Sequence, residues 1–295
     1  MDKKLKIFLT GSGGFIGRNI LEQLGEKYEF VAPRSAELDL TDAEKVSEFL
    51  KSVRPDLIIH VANLGGKRND AGSENTAFLN LRMFFNLVRN KEYFGRMIML
   101  GSGAEYDKRF NIADVKEEDF DKRVPVDQYG FYKYIIANFS AQVSYITHLR
   151  LFSIYGKYED YKVRFISNNI VRVLLDMPVS INQDAFFEFT SVDDFIRVLD
   201  YFINNQGREK FYNIGGGERI SLQEIGRKIA AQSGKNPAVV IKKEGLNREY
   251  TCDSSRLKQE IPDLEFTSIE DGIKDLFSYY CQSLKDINKE EILFD

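Results

Sequence analysis

The stretch Leu5-Lys-Ile-Phe-Leu-Thr10-Gly11-Ser12-Gly13-Gly14-Phe15-Ile16-Gly17 decides the fold, because an apolar run breaks at a glycine cluster and apolar periodicity then resumes through Ile20, Leu21 and Leu24. Leu5–Leu9 reads as a short buried strand and the stretch after the glycines as an amphipathic helix. Gly11, Gly14 and Gly17 permit a tight turn. They also let backbone N–H groups, with Phe15 and Ile16 opening the helix, approach a pyrophosphate at its positive end. The spacing is G-x-x-G-x-x-G rather than G-x-G-x-x-G, but the physical requirement is the same. A merely structural turn is the alternative; the placement between strand and helix favours dinucleotide binding.

Outward from this unit the alternation repeats. Glu29–Ala32 reads as a strand, Asp42–Val53 as a helix with Thr41 as N-cap, and Asp56–Val61 as a strand. A helix within Glu74–Asn90, a strand at Arg96–Leu100, a helix over Gln128–Val143, a strand at Tyr145–Phe152 and a helix over Arg164–Leu175 follow. Strands alternating with helices imply parallel units with right-handed crossovers, hence an α/β, doubly wound parallel sheet. After Gly156 the pattern loosens into charged, Tyr-rich and Gly-rich pieces, with a tail helix near Ile269–Leu284. The expectation is a dinucleotide-binding domain over 1–156 with a returning segment near 185–215. A smaller, mixed α/β cap is expected mainly over 157–184 and 216–295.

At 295 residues, 43% hydrophobic and 29% charged, the chain falls in the ordinary globular class. A formal net charge of −4 leaves no broad cationic field for nucleic acid or anionic lipid, so neither partner is expected. The two cysteines, Cys252 and Cys281, fit no paired zinc spacing, and the two histidines, His60 and His148, lie in apolar runs. A metal site and a Ser-His-Asp hydrolase are therefore not expected. The apolar run after Lys3, Lys4 and Lys6 is too short for a signal sequence, and no apolar run reaches the roughly 18 residues of a membrane span. Cytoplasmic residence is the default.

Three further stretches carry chemistry. After the second strand, where an NAD binder offers an acidic residue to the ribose, the sequence is Ala32-Pro33-Arg34-Ser35. Arg34 suits a 2′-phosphate, onto which a guanidinium can fork; a solvated surface arginine is the plain alternative. Tyr129 and Lys133, four apart, project from one face of a helix. An ammonium near a phenol favours the phenolate, so a tyrosine of ordinary pKa about 10 is drawn toward service as a general acid/base. Ser102 lies at the carboxyl end of a strand, where ligands of open α/β sheets sit, and is placed to donate to a substrate oxygen; by itself it reads more readily as a turn serine.

These pieces, with Asp39-Leu40, His60-x-Ala62, Asn80, Tyr106, Arg150-x-Phe-Ser-x-Tyr-Gly156, Tyr212-Asn-Ile-Gly215 and Arg248, occur in an order that resembles the extended short-chain dehydrogenase/reductase family. The likeness is to its branch of nucleotide-sugar epimerases, dehydratases and reductases, and it covers most of the chain. It implies a Rossmann domain with a substrate-binding cap. Gly11, Gly14 and Gly17 would line the pyrophosphate, Asp39 and Leu40 would flank the adenine, and Ala62 would lie along the cofactor. Lys133 would bind the nicotinamide ribose and tune Tyr129. Asn168, Arg164 and Arg248 would face a nucleotide diphosphate. The stretch Phe30–Leu40 is similar to that of GDP-fucose synthases, which use NADPH, so NADP(H) is favoured over NAD(H). A homodimer is implied through the helices near Phe78–Arg89 and Gln128–Val143, whose Phe84, Phe85, Phe131, Tyr132 and Phe139 read either as an apolar contact patch or as core.

Departures from the family narrow the reaction. Where sugar dehydratases carry an Asp-Glu pair, and GDP-fucose synthases a cysteine at the second position, this chain has Gly103 and Ala104, which transfer no proton. Glu105 reads either as a substitute proton carrier or as an ordinary polar contact. What remains needs hydride transfer assisted by Ser102, Tyr129 and Lys133. The expectation is NADPH-dependent reduction of a 4-keto nucleotide-diphosphate sugar. The alternatives are a 4-epimerase and a protein that binds the dinucleotide without turnover.

Overall fold

The computed structural model describes residues 4–65, 75–288, 290 and 292. Two compact units share the chain. The first comprises Met1–Arg109, Glu117–Leu151 and Ile196–Asn213, and the second Phe110–Lys116, Phe152–Phe195 and Ile214–Asp295. The segment that returns to the first unit is thus shorter than 185–215, and it begins inside the helix Val192–Asn204.

The first unit is built on a six-stranded sheet in the order Phe211–Ile214, Ile146–Leu151, Arg96–Ser102, Leu57–His60, Lys6–Thr10, Glu29–Val31. The pairs among the last five strands are all parallel. Bonds from His148 N to Lys210 O and from Phe152 N to Ile214 O advance together, so the sixth strand runs the same way. Its strands read as continuous apolar runs because helices cover both faces. One face packs Phe8, Ile58, Met97 and Met99 against Val46, Leu50, Phe84 and Ile136 from three helices. The register sets Thr10 beside His60 and Ser102 beside Leu151, so the carboxyl ends of the strands gather at one edge.

The helix Ala43–Val53 starts one residue later than Thr41 would place it. Asp42 is the N-cap, its carboxylate accepting from the amides of Glu44 and Lys45, while the Thr41 hydroxyl donates to Asp39 instead. Of the aromatics on the helices Thr76–Val88 and Gln128–Gln142, Phe84 and Tyr132 are core. Phe85 and Phe131 are exposed, and Phe139 is half-buried with edge-on contacts to Phe84 and Phe85.

The second unit holds a four-stranded mixed sheet in the order Arg219–Ser221, Phe186–Glu188, Tyr250–Cys252, Ile112–Val115, and two two-stranded sheets. Its core gathers Ile166, Ile170, Val179, Ile225, Ile273 and Tyr280 from three helices and a strand. Cys252 is buried and Cys281 exposed, both as free thiols. Among the described residues no helix is long and apolar enough to cross a membrane, and no three His, Cys, Asp or Glu side chains gather as metal ligands.

Candidate active site

At the carboxyl edge of the first unit's sheet the strand Lys6–Thr10 turns through the glycines into the helix Phe15–Leu24. Gly11 has φ +71°, and a Cβ there would lie 2.7 Å from Ala62 N. A Cβ on Gly17 would collide with Gly11 O and come within 2.8 Å of Ser12 Cα. Both positions therefore require glycine for packing. Gly13 differs: a Cβ there would meet nothing within 4 Å. Gly14 is the N-cap, without a side chain to accept from the first-turn amides, and no acidic residue lies in that turn. Open space over uncapped N–H groups at a helix start, free of carboxylates, fits a pyrophosphate.

Thr10 ties two strand ends together. Its hydroxyl oxygen accepts from the amides of Val61 and Ala62, at 3.1 Å each, so its proton goes to His60 Nδ1 at 2.8 Å. Burial, with Lys133 adding to it, pushes His60 down to about 3, and the ring is neutral. Asn80 holds the following loop, its carboxamide accepting from Leu64 N and donating to Leu64 O. Ser12 Oγ donates to Ala32 O, bringing the end of the second strand beside the glycine turn.

Arg34 stands just beyond that strand, exposed. Its amide donates to Glu37 Oε2 at 2.6 Å, and its guanidinium makes no hydrogen bond or ion pair among the described residues. The Asp39 carboxylate is occupied by the amide and hydroxyl of Thr41. Leu40 points into the core, with its carbonyl held by Asn86.

Ser102 ends the fourth strand in chain order and caps the short turn Gly103–Tyr106, its Oγ accepting from Ala104 N at 3.2 Å. Opposite stands the helix Gln128–Gln142, capped by Asp127, which accepts from Gly130 N at 2.9 Å. A Cβ on Gly130 would approach Ala104 O to 2.9 Å, so the glycine after Tyr129 lets the helix start press against the turn that begins at Ser102. One helical turn on, Lys133 is buried and donates to Leu100 O at 2.6 Å, two residues before Ser102. Tyr129 is half-buried, edge-on to the Tyr132 ring, with Lys108 Nζ 5.4 Å from its ring centroid. Burial pushes the Lys133 ammonium down to about 8, with Glu105 acting the other way.

Glu105 is not a free proton carrier. It is fully buried, with Oε1 accepting from Ser102 N and His148 Nε2, at 2.9 Å each, and Oε2 from Arg150 Nε at 2.6 Å. Burial works to raise its pKa, but His148 and Arg150 outweigh that and hold it at about 2. Arg150 is itself buried among Tyr106, Phe120 and Phe211, 4.5–5.2 Å from the ring centroids. Tyr106 in turn donates to Asn213. Sequence reading named Glu105 but not its partners. The available signal was that His148 and Arg150, two apart on a strand, share one face.

In the second unit, Arg164 is the exposed N-cap of the helix Phe165–Leu174. The Asn168 amide group donates to Tyr161 O and Lys162 O, 3.0 Å each, folding the preceding loop onto the helix. Arg248 is exposed between two strands, its amide held by Asn247.

A family model described as NAD dependent epimerase/dehydratase family matches residues 7–215. The chain is 24% identical to GDP-L-colitose synthase of Yersinia pseudotuberculosis over 94% of its own length and 98% of that protein's. Its fold is that of UDP-glucose 4-epimerase from Thermotoga maritima, solved with UDP-glucose, at TM-score 0.81 and 20% identity over 95% of this chain and 100% of that one. It is equally that of a GDP-mannoheptose C4 reductase from Campylobacter jejuni with NADP bound, at TM-score 0.79 and 20% identity over 95% and 99%. With most of the chain from the first strand to Gly215 matched and the strand-glycine-helix unit in place, this chain belongs to the NAD dependent epimerase/dehydratase family.

Proposed function

We propose that the protein reduces a 4-keto nucleotide-diphosphate sugar with NADPH. One observation carries this reading. The only carboxylate on the turn after Ser102, that of Glu105, is locked between Arg150 and His148, and its neighbours Gly103 and Ala104 carry no proton-transferring group. Proton removal from a sugar carbon, which dehydration and 3,5-epimerisation require, has no base there. Hydride transfer to a carbonyl needs only a proton for the oxygen.

A reduced nicotinamide, when bound, supplies the hydride. Tyr129 gives its phenolic proton to the carbonyl oxygen, Ser102 donates a hydrogen bond to the same oxygen, and Lys133 favours the phenolate left behind. Gly11, Gly14 and Gly17, with Phe15 and Ile16, form the pyrophosphate cradle, and Ala62 borders it. Asp39 and Leu40 flank the adenine through their backbone, since the side chains are engaged elsewhere. The unpaired guanidinium of Arg34 favours NADP(H). Arg164, Asn168 and Arg248 serve the nucleotide diphosphate of the substrate. The relationship to GDP-L-colitose synthase and the fold shared with a C4 reductase holding NADP support the reading. Phe78, Phe85 and Phe131 are 59%, 39% and 38% exposed on two helices of the first unit, which supports a homodimer.

The deciding experiment is NADPH oxidation with a panel of 4-keto nucleotide sugars, for the wild type and Tyr129→Phe. Equal rates in the two proteins overturn the assignment. The same three groups also suffice for oxidation and re-reduction at C4, so 4-epimerisation is the second reading. Protein that keeps NAD through purification and interconverts two sugar nucleotides without added reductant would establish it.

A further inference from the structure

The first unit carries a buried ionic cluster that the reaction scheme does not use. Glu105, His148 and Arg150 are all at most 1% exposed, and the cluster continues from Arg150 Nη1 to the Tyr106 hydroxyl at 3.3 Å and from Tyr106 to Asn213. Replacing such a cluster by apolar side chains is often neutral or stabilising, so stability alone gives little reason for it. Its geometry points instead to the neighbouring site. One Glu105 oxygen grips the amide of Ser102, while the Ser102 hydroxyl grips Ala104 N, a reciprocal cap that fixes the serine at the strand end. Gly101 leaves the space: a Cβ there would lie 2.5 Å from Glu105 Oε1 and would collide with His148 Nε2.

We propose that Glu105 is a positioning residue for the reduction. Its carboxylate, pinned by Arg150 and His148, holds the amide of Ser102 and so fixes the strand end whose Leu100 carbonyl accepts from the Lys133 ammonium. The inference rests on the reduction reading for its role, but the arrangement is testable without turnover.

The groups acting on Lys133 come from every side. Glu105 faces it from the turn, His60 and His148 couple to it from two strands, and the Tyr132 ring lies 5.6 Å away on its own helix, with Tyr129 one turn earlier. Both histidines are pushed down by burial, so among these groups Glu105 is the one that raises Lys133, with the charged Arg150 guanidinium bonded to its other oxygen. Lys133 otherwise has a carbonyl, Leu100 O, as its bonded partner. Burial without Glu105 would leave the amine neutral at a lower pH.

Glu105→Gln keeps the side-chain size and an acceptor for Ser102 N while removing the charge. In protein labelled with 13Cε-lysine, the Lys133 signal is assigned by its loss in Lys133→Met and titrates near 8 in the wild type. In Glu105→Gln it is expected at least about one pH unit lower, as loss of an opposite charge requires. The alkaline limb of the kcat profile should move down with it, and kcat at neutral pH should fall about tenfold with KM within about twofold, the pattern of an interaction lost from the transition state. Because one amide cannot satisfy both Arg150 and His148, Glu105→Gln/Arg150→Met is the second variant, which removes both charges and leaves no buried guanidinium without its carboxylate. An unmoved Lys133 titration in folded Glu105→Gln overturns the proposal, as does a kcat and pH profile in either folded variant that matches the wild type. Wild-type protein inactive on every 4-keto sugar overturns the reduction reading instead, and the Lys133 titration still judges Glu105.

Discussion

Lys133 Nζ donates to the carbonyl oxygen of Leu100 at 2.6 Å, so the helix that carries Tyr129 is tied to the strand that ends in Ser102. A buried ammonium is costly to hold against a neutral partner alone. Tyr129→Phe should lower kcat by about 10²–10⁴ at unchanged NADPH affinity, the range for loss of a positioned acid. Stopped-flow turnover and fluorescence titration of NADPH check the two halves.

Gly17 and Gly13 should behave oppositely when changed to alanine. At 17 the new methyl meets Gly11 O and Ser12 Cα, and urea unfolding should show a loss of about 2 kcal/mol or more. At 13 it meets nothing, so stability should stay within about 0.5 kcal/mol. NADPH binding should nevertheless weaken about tenfold there, because the methyl takes the space assigned to the pyrophosphate.

Arg34→Ala should raise the Kd of NADPH by about 10–100-fold and leave that of NADH unchanged, as expected when a charge-assisted bond to a 2′-phosphate is removed. Calorimetric titration with both dinucleotides reads it. Equal weakening of both would place Arg34 away from the phosphate.

Glu159, buried in the second unit, accepts from Ser167 Oγ at 2.7 Å. Burial pushes its carboxyl up to about 7 from an ordinary 4.5, with Ser167 and Arg164 opposing. The folded state therefore holds this proton over the window from 4.5 to about 7, where the unfolded chain releases it, and the group's contribution to stability is lost as pH rises through that window. Glu159→Gln should abolish that dependence. Its stability relative to the wild type should increase by up to about 3 kcal/mol between mildly acidic and mildly alkaline pH, measured by urea unfolding.

Phe78→Glu should convert a dimer into monomers in sedimentation at micromolar concentration, because a carboxylate then occupies the most exposed phenylalanine of the helix Thr76–Val88. Sedimentation of the wild type as a monomer would remove the homodimer from the reading.

The first unit was legible because its information is local. Apolar runs such as Leu57–His60 and glycine turns such as Gly11–Gly17 mark strands and connections within a few residues. Thr41 and Asp42 are both capping types, and only the geometry shows that Asp42 reaches two amides while Thr41 turns to Asp39. The strand Ile112–Val115 was not legible, since it is made by pairing with Tyr250–Cys252, far along the chain. The same holds for Glu105, whose chemistry depends on two side chains some 43 and 45 positions away.

Gly101 bears on what substitutions this protein tolerates. A methyl at that position and the imidazole of His148 compete for one volume, so alanine there is excluded while the histidine and the carboxylate remain. The positions constrain one another: a methyl at 101 needs a smaller side chain at 148, and loss of the carboxylate at 105 strands the Arg150 guanidinium until that residue changes too.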